Sequence, residues 1–303
     1  MPSGTDPFAG YRSAQPGEDI IDAAEAMSGV QGALVHHGRS REIEGDVVAL
    51  EPAMGDSTLL TVRVPSAVAA EIRPGRFFDI LCRPDGSSDP LLRRPYSVFA
   101  SDPARAELQF LVRPYGRGSA WLARRRRGDV LDLLGPLGNA YTLDPGARHL
   151  LMVAGGVGVA PLVLLAREAV ASGRNVVFLL GAADASGLLA AGHLPSAVEY
   201  VVATDDGSKG HRGFVTDLVP DYVRWADQVF ACGPEPMYRS LRNGLLPLRI
   251  GNRPRVQVSM EREMACGLGA CLGCVVIGVA GPQRVCREGP VFAVDEIDWE
   301  ASA

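Results

Sequence analysis

The sequence predicts a multidomain α+β and α/β chain: an antiparallel β-barrel, a parallel α/β unit and a C-terminal cysteine module. Three observations carry this. Short alternating apolar runs, separated by Gly, Pro and Asp, recur from about residue 42 to residue 144. After residue 148 the apolar runs become continuous and alternate with helical stretches, as strands buried on both faces do. Four of the six cysteines crowd into the 21 positions from Cys266 to Cys286. The length of 303 residues exceeds one ordinary core and fits division into several units.

Composition narrows the function classes. Thirty Lys and Arg against 35 Asp and Glu give a net charge of −5, which argues against nucleic-acid binding. Hydrophobic residues at 47% and charged residues at 21% describe an ordinary folded chain. No apolar run reaches the roughly 18 residues of a membrane span. The opening MPSGTDPFAGYRSAQPGEDI lacks a basic start followed by an apolar core, so a cytoplasmic location is expected. Crowded cysteines in such a chain point to metal rather than disulfides.

Residues 1–40, rich in Gly, Ser, Pro and acids, are expected to form a flexible extension. Residues 41–146 hold the barrel runs DVVALEPA, STLLTVRVP, FFDILCRP, AELQFLVRPYG and DVLDLLGPLG. Within them, LLRRPYSVFA places Arg94 and Tyr96 on one face of a strand and Ser97 on the other. Arginine is permanently charged and forked, which suits a pyrophosphate, and tyrosine stacks on a flat ring. Tyr115-Gly116-Arg117-Gly118-Ser119 leads into an expected helix over 120–127, whose free N–H groups suit the same phosphates. Alone, this motif reads rather as a solvated arginine on a barrel edge; beside the two modules below it reads as a flavin site. The run Arg124–Arg127 is read as a solvated helix face or a small docking patch. Cys82 is read as a buried small hydrophobe, and the five histidines show no ligand spacing.

Residues 147–252 form the expected α/β unit. HLLMVAG runs through Gly155, Gly156 and Gly158 into a helix expected over 161–172. A strand entering a helix through glycines leaves N–H groups and the positive helix end facing a phosphate, although a plain tight turn uses the same residues. The sequence is not the G-x-G-x-x-G fingerprint. A second apolar strand ends in Cys232-Gly233-Pro234 before another helix. Ligands of open α/β sheets bind at the carboxyl ends of strands, where both motifs lie. Cys232 then lines a pocket or fills the core. GAADASG, after the second strand of the unit, has no Arg or Lys for a 2′-phosphate, and Asp184 would repel one, which favours NAD over NADP.

Residues 253–303 contain C-x4-C-x2-C-x11-C at Cys266, Cys271, Cys274 and Cys286. C-x4-C-x2-C…C is the plant-type 2Fe–2S spacing. Gly267, Gly269 and Gly273 suit a loop that needs positive φ and exposed N–H groups near sulfur. Four thiolates also suit zinc, but three of these four ligands sit in one short glycine loop rather than in two C-x2-C pairs.

Taken together, RRPYS, GRGS, AGGVGVAPL, TDDGSKGHRGFVTDL, CGPEPM, MACGLGACLGC and VCREGPVF occur in order from about Ile43 to the C-terminus. This order resembles the ferredoxin-reductase superfamily and, within it, the electron-transfer subunits of dihydroorotate dehydrogenase B. The resemblance implies FAD contacts at Arg94, Pro95, Tyr96 and Ser97, at Leu111, Val112 and Arg113, and at Gly118 and Ser119. It implies a cluster on the four cysteines and a nicotinamide site including Cys232. Ser119 stands where threonine is frequent in the family. It further implies a relay in pyrimidine biosynthesis, from the FMN of a catalytic subunit through 2Fe–2S and FAD to NAD⁺, in a heterotetramer of two subunits of each kind. Such a relay requires no side-chain acid or base, so no catalytic residue is expected. The alternatives are a related NAD(P)H–ferredoxin or sulfhydrogenase-type reductase subunit, and a zinc-holding module without activity.

Overall fold

The computed structural model describes residues 40–245 and 254–301. The extension expected over residues 1–40 therefore lies, but for Ser40, outside the described residues.

Six strands close the expected antiparallel barrel. They are β1 (Arg41–Pro52), β2 (Thr58–Arg63), β3 (Phe77–Ile80), β4 (Arg94–Asp102), β5 (Glu107–Val112) and β6 (Val130–Leu137), in the order β1-β2-β5-β4-β3-β6. Alternation drives the closure: Leu60, Val62, Phe78, Ile80, Val98, Leu108, Phe110, Leu131 and Leu133 all turn into one interior core. Helix α1 (Ser66–Ala70) plugs one side through Val68 and Ala69.

Helix α2 (Arg117–Leu122) begins three residues earlier than expected and ends five earlier. Its start is set by the Gly116 N–H, which donates to the Ser119 hydroxyl at 2.9 Å. Its end is set by Asp129, whose carboxylate accepts the Arg126 N–H at 2.9 Å and pairs with Arg125 at 3.4 Å. The run Arg124–Arg127 thus lies past the helix and is not a helix face. Arg125 folds back over Trp121, 3.8 Å from the ring centroid.

The second layer is a seven-stranded sheet built from β7 (His149–Gly155), β8 (Asn175–Ala182), β9 (Glu199–Thr204), β10 (His211–Arg212), β11 (Gln228–Cys232) and β12 (Arg255–Ser259), with a later strand at its edge. That edge strand follows a hairpin of β13 (Val275–Gly278) and β14 (Gly281–Arg284) and is β15 (Val291–Ala293). The order is β10-β9-β8-β7-β11-β12-β15, parallel throughout except for the antiparallel β15. The boundary expected at residue 253 therefore cuts through the sheet, because the cysteine segment contributes β12 and β15 to it.

Helix α3 (Val159–Ala171) crosses from β7 to β8, and the short α4 (Val219–Tyr222) and α5 (Glu235–Leu245) flank the sheet. α3 is buried along Val159, Leu162, Val163, Leu165, Ala166 and Ala169. These residues share a core with Phe99 of β4 and Leu111 of β5, while Leu164 packs on the barrel interior cluster. Barrel and sheet are therefore joined through one apolar helix. Each fully buried Leu or Val there contributes about 1.5–3 kcal/mol by removal from water.

Asn139 latches the cysteine segment to the barrel just after β6. Its amide donates to the carbonyls of Glu288 and Val291 at 2.8 and 2.7 Å and accepts the Val291 N–H at 2.9 Å.

Candidate functional site

β4 pairs with β3 in the register Arg94↔Ile80, Pro95↔Asp79, Tyr96↔Phe78 and Ser97↔Phe77. Arg94 and Tyr96 thus share one face and Ser97 the other, as alternation requires. The Arg94 guanidinium donates to the carbonyls of Leu92 and Arg93 at 2.8 and 3.0 Å, which fixes its direction. A Cβ on Gly118 would lie 3.2 Å from Cys82 Cβ and 3.6 Å from Arg94 Cγ, so α2 rests on both residues. Cys82, expected as a buried small hydrophobe, lies in the barrel core and touches this group as well. Its thiol donates to the Ile80 carbonyl at 3.3 Å and lies within hydrogen-bonding reach of the Tyr96 hydroxyl. Burial pushes the Cys82 thiol up to about 12 and also raises the Tyr96 phenol, so both stay neutral.

β5 runs antiparallel beside β4 and ends in Leu111 and Val112, which pair with Leu59 and Thr58 of β2, and Arg113 follows the strand. Val112 faces the barrel interior and Leu111 the core shared with α3. Arg113 pairs with Asp56 at 3.3 Å. The Ser119 hydroxyl is engaged in capping Gly116. Beside α2 opens a cavity of about 510 Å³ whose walls include Pro84, Pro90, Tyr115, Gly116, Arg117 and Trp121.

The nucleotide crevice lies where the strand order reverses. From β7 the chain proceeds to β8 on one side, and β11 lies on the other, so the carboxyl ends of β7 and β11 flank the topological switch point. Gly155 ends β7 and Gly156 and Gly158 follow it, while Cys232 and Gly233 stand at the end of β11, with Ala154 level with Cys232. The two turns touch: a Cβ on Gly158 would sit 2.3 Å from the Cys232 carbonyl oxygen. Only glycine permits that approach. Tyr238 holds the second turn, its hydroxyl accepting the Gly233 N–H at 2.9 Å and donating to the Ser259 carbonyl at 2.5 Å. Tyr238 lies just past CGPEPM, the motif that the sequence marked. Cys232 is buried in the core it shares with α3, and burial holds its thiol protonated, so it is not a nucleophile. Just after β8, Asp184 accepts from the Ser186 hydroxyl and from the N–H groups of Ser186 and Gly187, which lowers its pKa and keeps it anionic.

The cysteines form the third part. Among the described residues, no three His, Cys, Asp or Glu side chains converge as a single-ion site requires. The thiols lie instead in two pairs, Cys266 with Cys271 and Cys274 with Cys286. N–H groups of Leu268, Gly273 and Cys286 point at the sulfurs of Cys266, Cys271 and Cys274, each at 3.4 Å. Burial raises the Cys266 thiol, but N–H groups of Leu268 and Cys271 and the Cys271 thiol outweigh it and lower it to about 6. Gly267 and Gly269 hold φ of +67° and +80°, the positive angles that the loop was expected to need. Paired thiols with N–H···S donors fit two sulfide-bridged irons better than one tetrahedral ion.

β3 links this loop to the barrel. The Asp79 side chain is 1% exposed, and its Oδ2 would lie 2.3 Å from a Cβ on Gly267. Burial pushes the Asp79 carboxyl up to about 7, opposed by the Arg93 charge and reinforced by Cys266.

Comparison with known proteins agrees with this geometry. Residues 261–298 match the iron-sulfur cluster binding domain of dihydroorotate dehydrogenase B, and residues 152–243 match an oxidoreductase NAD-binding domain. The chain is 39% identical over 231 residues to the dihydroorotate dehydrogenase B (NAD(+)) electron transfer subunit of Bacillus caldolyticus, covering 74% of this chain and 86% of that one. The chain belongs to the dihydroorotate dehydrogenase B electron transfer subunit family. A homologue of that subunit from Aquifex aeolicus is 34% identical over 84% of this chain and 98% of its own length. A solved NADH-dependent reduced ferredoxin-NADP oxidoreductase, studied for flavin-based electron bifurcation, superposes with a TM-score of 0.74 at 27% identity. That match covers 85% of this chain and 91% of the other. As a family member, the chain is an oxidoreductase component. Among its described residues, no helix is long and apolar enough to cross a membrane.

Proposed function

We propose that this chain is the electron relay of a dihydroorotate-oxidising enzyme, carrying FAD on the barrel and a 2Fe–2S cluster on Cys266, Cys271, Cys274 and Cys286, and reducing NAD⁺. The observation that carries the proposal is the contact between β3 and the cysteine loop. Asp79, level with Pro95 of the R-P-Y-S strand, lies directly against Gly267. Flavin strand and cluster loop are thus separated by one side chain, which suits charge passing between them.

FAD supplies the exchange between paired electrons, taken or given as hydride, and single electrons. The residues of this chain hold and orient. Arg94, its guanidinium fixed by two carbonyls, meets the pyrophosphate; Tyr96, kept neutral, packs on the ring system; the N–H groups near Gly118 and Ser119 face the same phosphates. Pro95 and Ser97 lie on the opposite strand face, and Leu111, Val112 and Arg113 lie at and just past the end of the neighbouring strand. The cavity walled by Tyr115 and Trp121 suits the adenosine end. Gly155, Gly156, Gly158, Cys232 and Gly233 shape the nicotinamide crevice and exclude water from it. The anionic Asp184 favours NAD over a 2′-phosphorylated nucleotide. The partner is an FMN-containing catalytic subunit that oxidises dihydroorotate, assembled with this chain as two of each in the cytoplasm.

Anaerobically purified protein tests the proposal. It should contain FAD, iron and acid-labile sulfide, and NADH should bleach its flavin bands. With the partner it should produce NADH from dihydroorotate and NAD⁺. A colourless, zinc-bearing protein, or a loaded one that NADH leaves unreduced, overturns it.

A further inference from the structure

We propose that Asp79 sets the reduction potential of the cluster, as a buried negative charge held against the backbone that follows Cys266. The inference rests on the assignment of the four cysteines to a 2Fe–2S cluster. It begins from a carboxylate that the fold does not satisfy. Asp79 Oδ1 is buried without a hydrogen-bond partner among the described residues. The cation nearest in chemistry, Arg93, is committed elsewhere. It donates to the Asp132 carboxylate at 2.8 Å, the Asp132 carbonyl at 3.1 Å and Glu42 at 3.0 Å.

The surroundings are apolar. Phe77, Leu134 and Leu137, on the barrel face that meets the cysteine segment, share one core with Cys274, Cys286, Val285 and Phe292. A leucine at position 79 would suit that core, whereas an unpaired buried carboxylate weakens it. Stability therefore does not explain the acid. Its position does: the cysteine loop approaches Asp79 so closely that residue 267 has no room for a Cβ.

A one-electron reduction adds one negative charge to the cluster. A fixed carboxylate a short distance away, in a medium far less polarisable than water, opposes that charge. Asp79 thus makes the cluster a stronger reductant, which favours onward delivery to a low-potential acceptor such as NAD⁺. Asparagine at this position keeps the shape and removes the charge.

The test is potentiometric titration of the cluster, followed by electron paramagnetic resonance. In Asp79→Asn the cluster should become easier to reduce by about tenfold in the one-electron equilibrium, or ~59 mV. Its iron and sulfide content should stay unchanged. A purely structural role would leave the potential of an intact cluster where it was, and that result overturns the inference. If the variant does not load, infrared difference spectra of the unaltered protein, labelled with ¹³C-aspartate, decide the matter. A labelled carboxylate band must shift on cluster reduction, and its absence overturns the inference equally. An unaltered protein without iron or sulfide removes the cluster assignment itself, whereas a loaded cluster with an unmoved potential removes only the role of Asp79.

Discussion

Gly158 shows how much one missing methyl group decides at the residue scale. The Cβ of Gly158→Ala would press on the Cys232 carbonyl, a backbone atom that cannot swing away as a flexible side chain can. Overpacking of this kind costs about 1–3 kcal/mol, taken up by separation of the two turns. The variant should bind NADH about tenfold or more weakly while retaining FAD, as read by flavin bleaching against NADH concentration; unchanged NADH affinity would place the nicotinamide elsewhere. Arg94→Ala should act on the other cofactor. Loss of a charge-assisted contact to phosphate costs roughly 1.5–3 kcal/mol, so flavin should dissociate during gel filtration, and full occupancy would refute the phosphate role. Both residues were legible in the sequence. Cys82 was legible as a buried small hydrophobe, but nothing in FFDILCRP shows that it lies beneath Arg94, Tyr96 and Gly118, because that neighbourhood comes from three separate segments.

Elements repeat the lesson with longer reach. Alternation marked the barrel strands through the side chains that face the interior, although Phe77, Phe99, Leu111 and Leu134 on the outer face are apolar too and pack against the sheet unit. Continuous apolar runs marked β7, β8 and β11 for the same local reason. The helix expected over 120–127 was displaced because its limits depend on two side-chain bonds, from Gly116 to Ser119 and from Arg126 to Asp129. The short β15 carries too little pattern to mark it, yet it closes the sheet edge beside β12. Asn139 makes that docking specific. Asn139→Ala leaves part-buried backbone groups of Glu288 and Val291 unmet, at about 1 kcal/mol each. Calorimetry should show melting lowered by several degrees, at roughly 2–4 °C per kcal/mol, and iron release should accelerate. A variant that keeps its iron as firmly as the unaltered chain would show that the latch does not hold the loop.

At the scale of the whole molecule, the arrangement separates two exchanges and then brings them together. The nucleotide crevice belongs to β7 and β11, whereas the cysteine loop lies against β3 of the barrel. Cys271→Ser should therefore abolish the cluster and electron delivery to or from the partner, yet leave flavin bleaching by NADH within about twofold of normal. Cys271 is exposed, so the substitution disturbs no core. Loss of both exchanges together would mean that the loop supports the flavin as well.

By itself the sequence determined what neighbours along the chain can encode. It gave strand faces through period, phosphate turns through glycine, and a two-iron site through cysteine spacing. Tertiary structure alone decided which of these parts meet. It drew β12 and β15 into the nucleotide sheet, set Cys82 beneath the flavin strand and brought Asp79 against Gly267. Those pairings join segments remote along the chain and are selected by mutual exclusion of water and close packing, which no local pattern records.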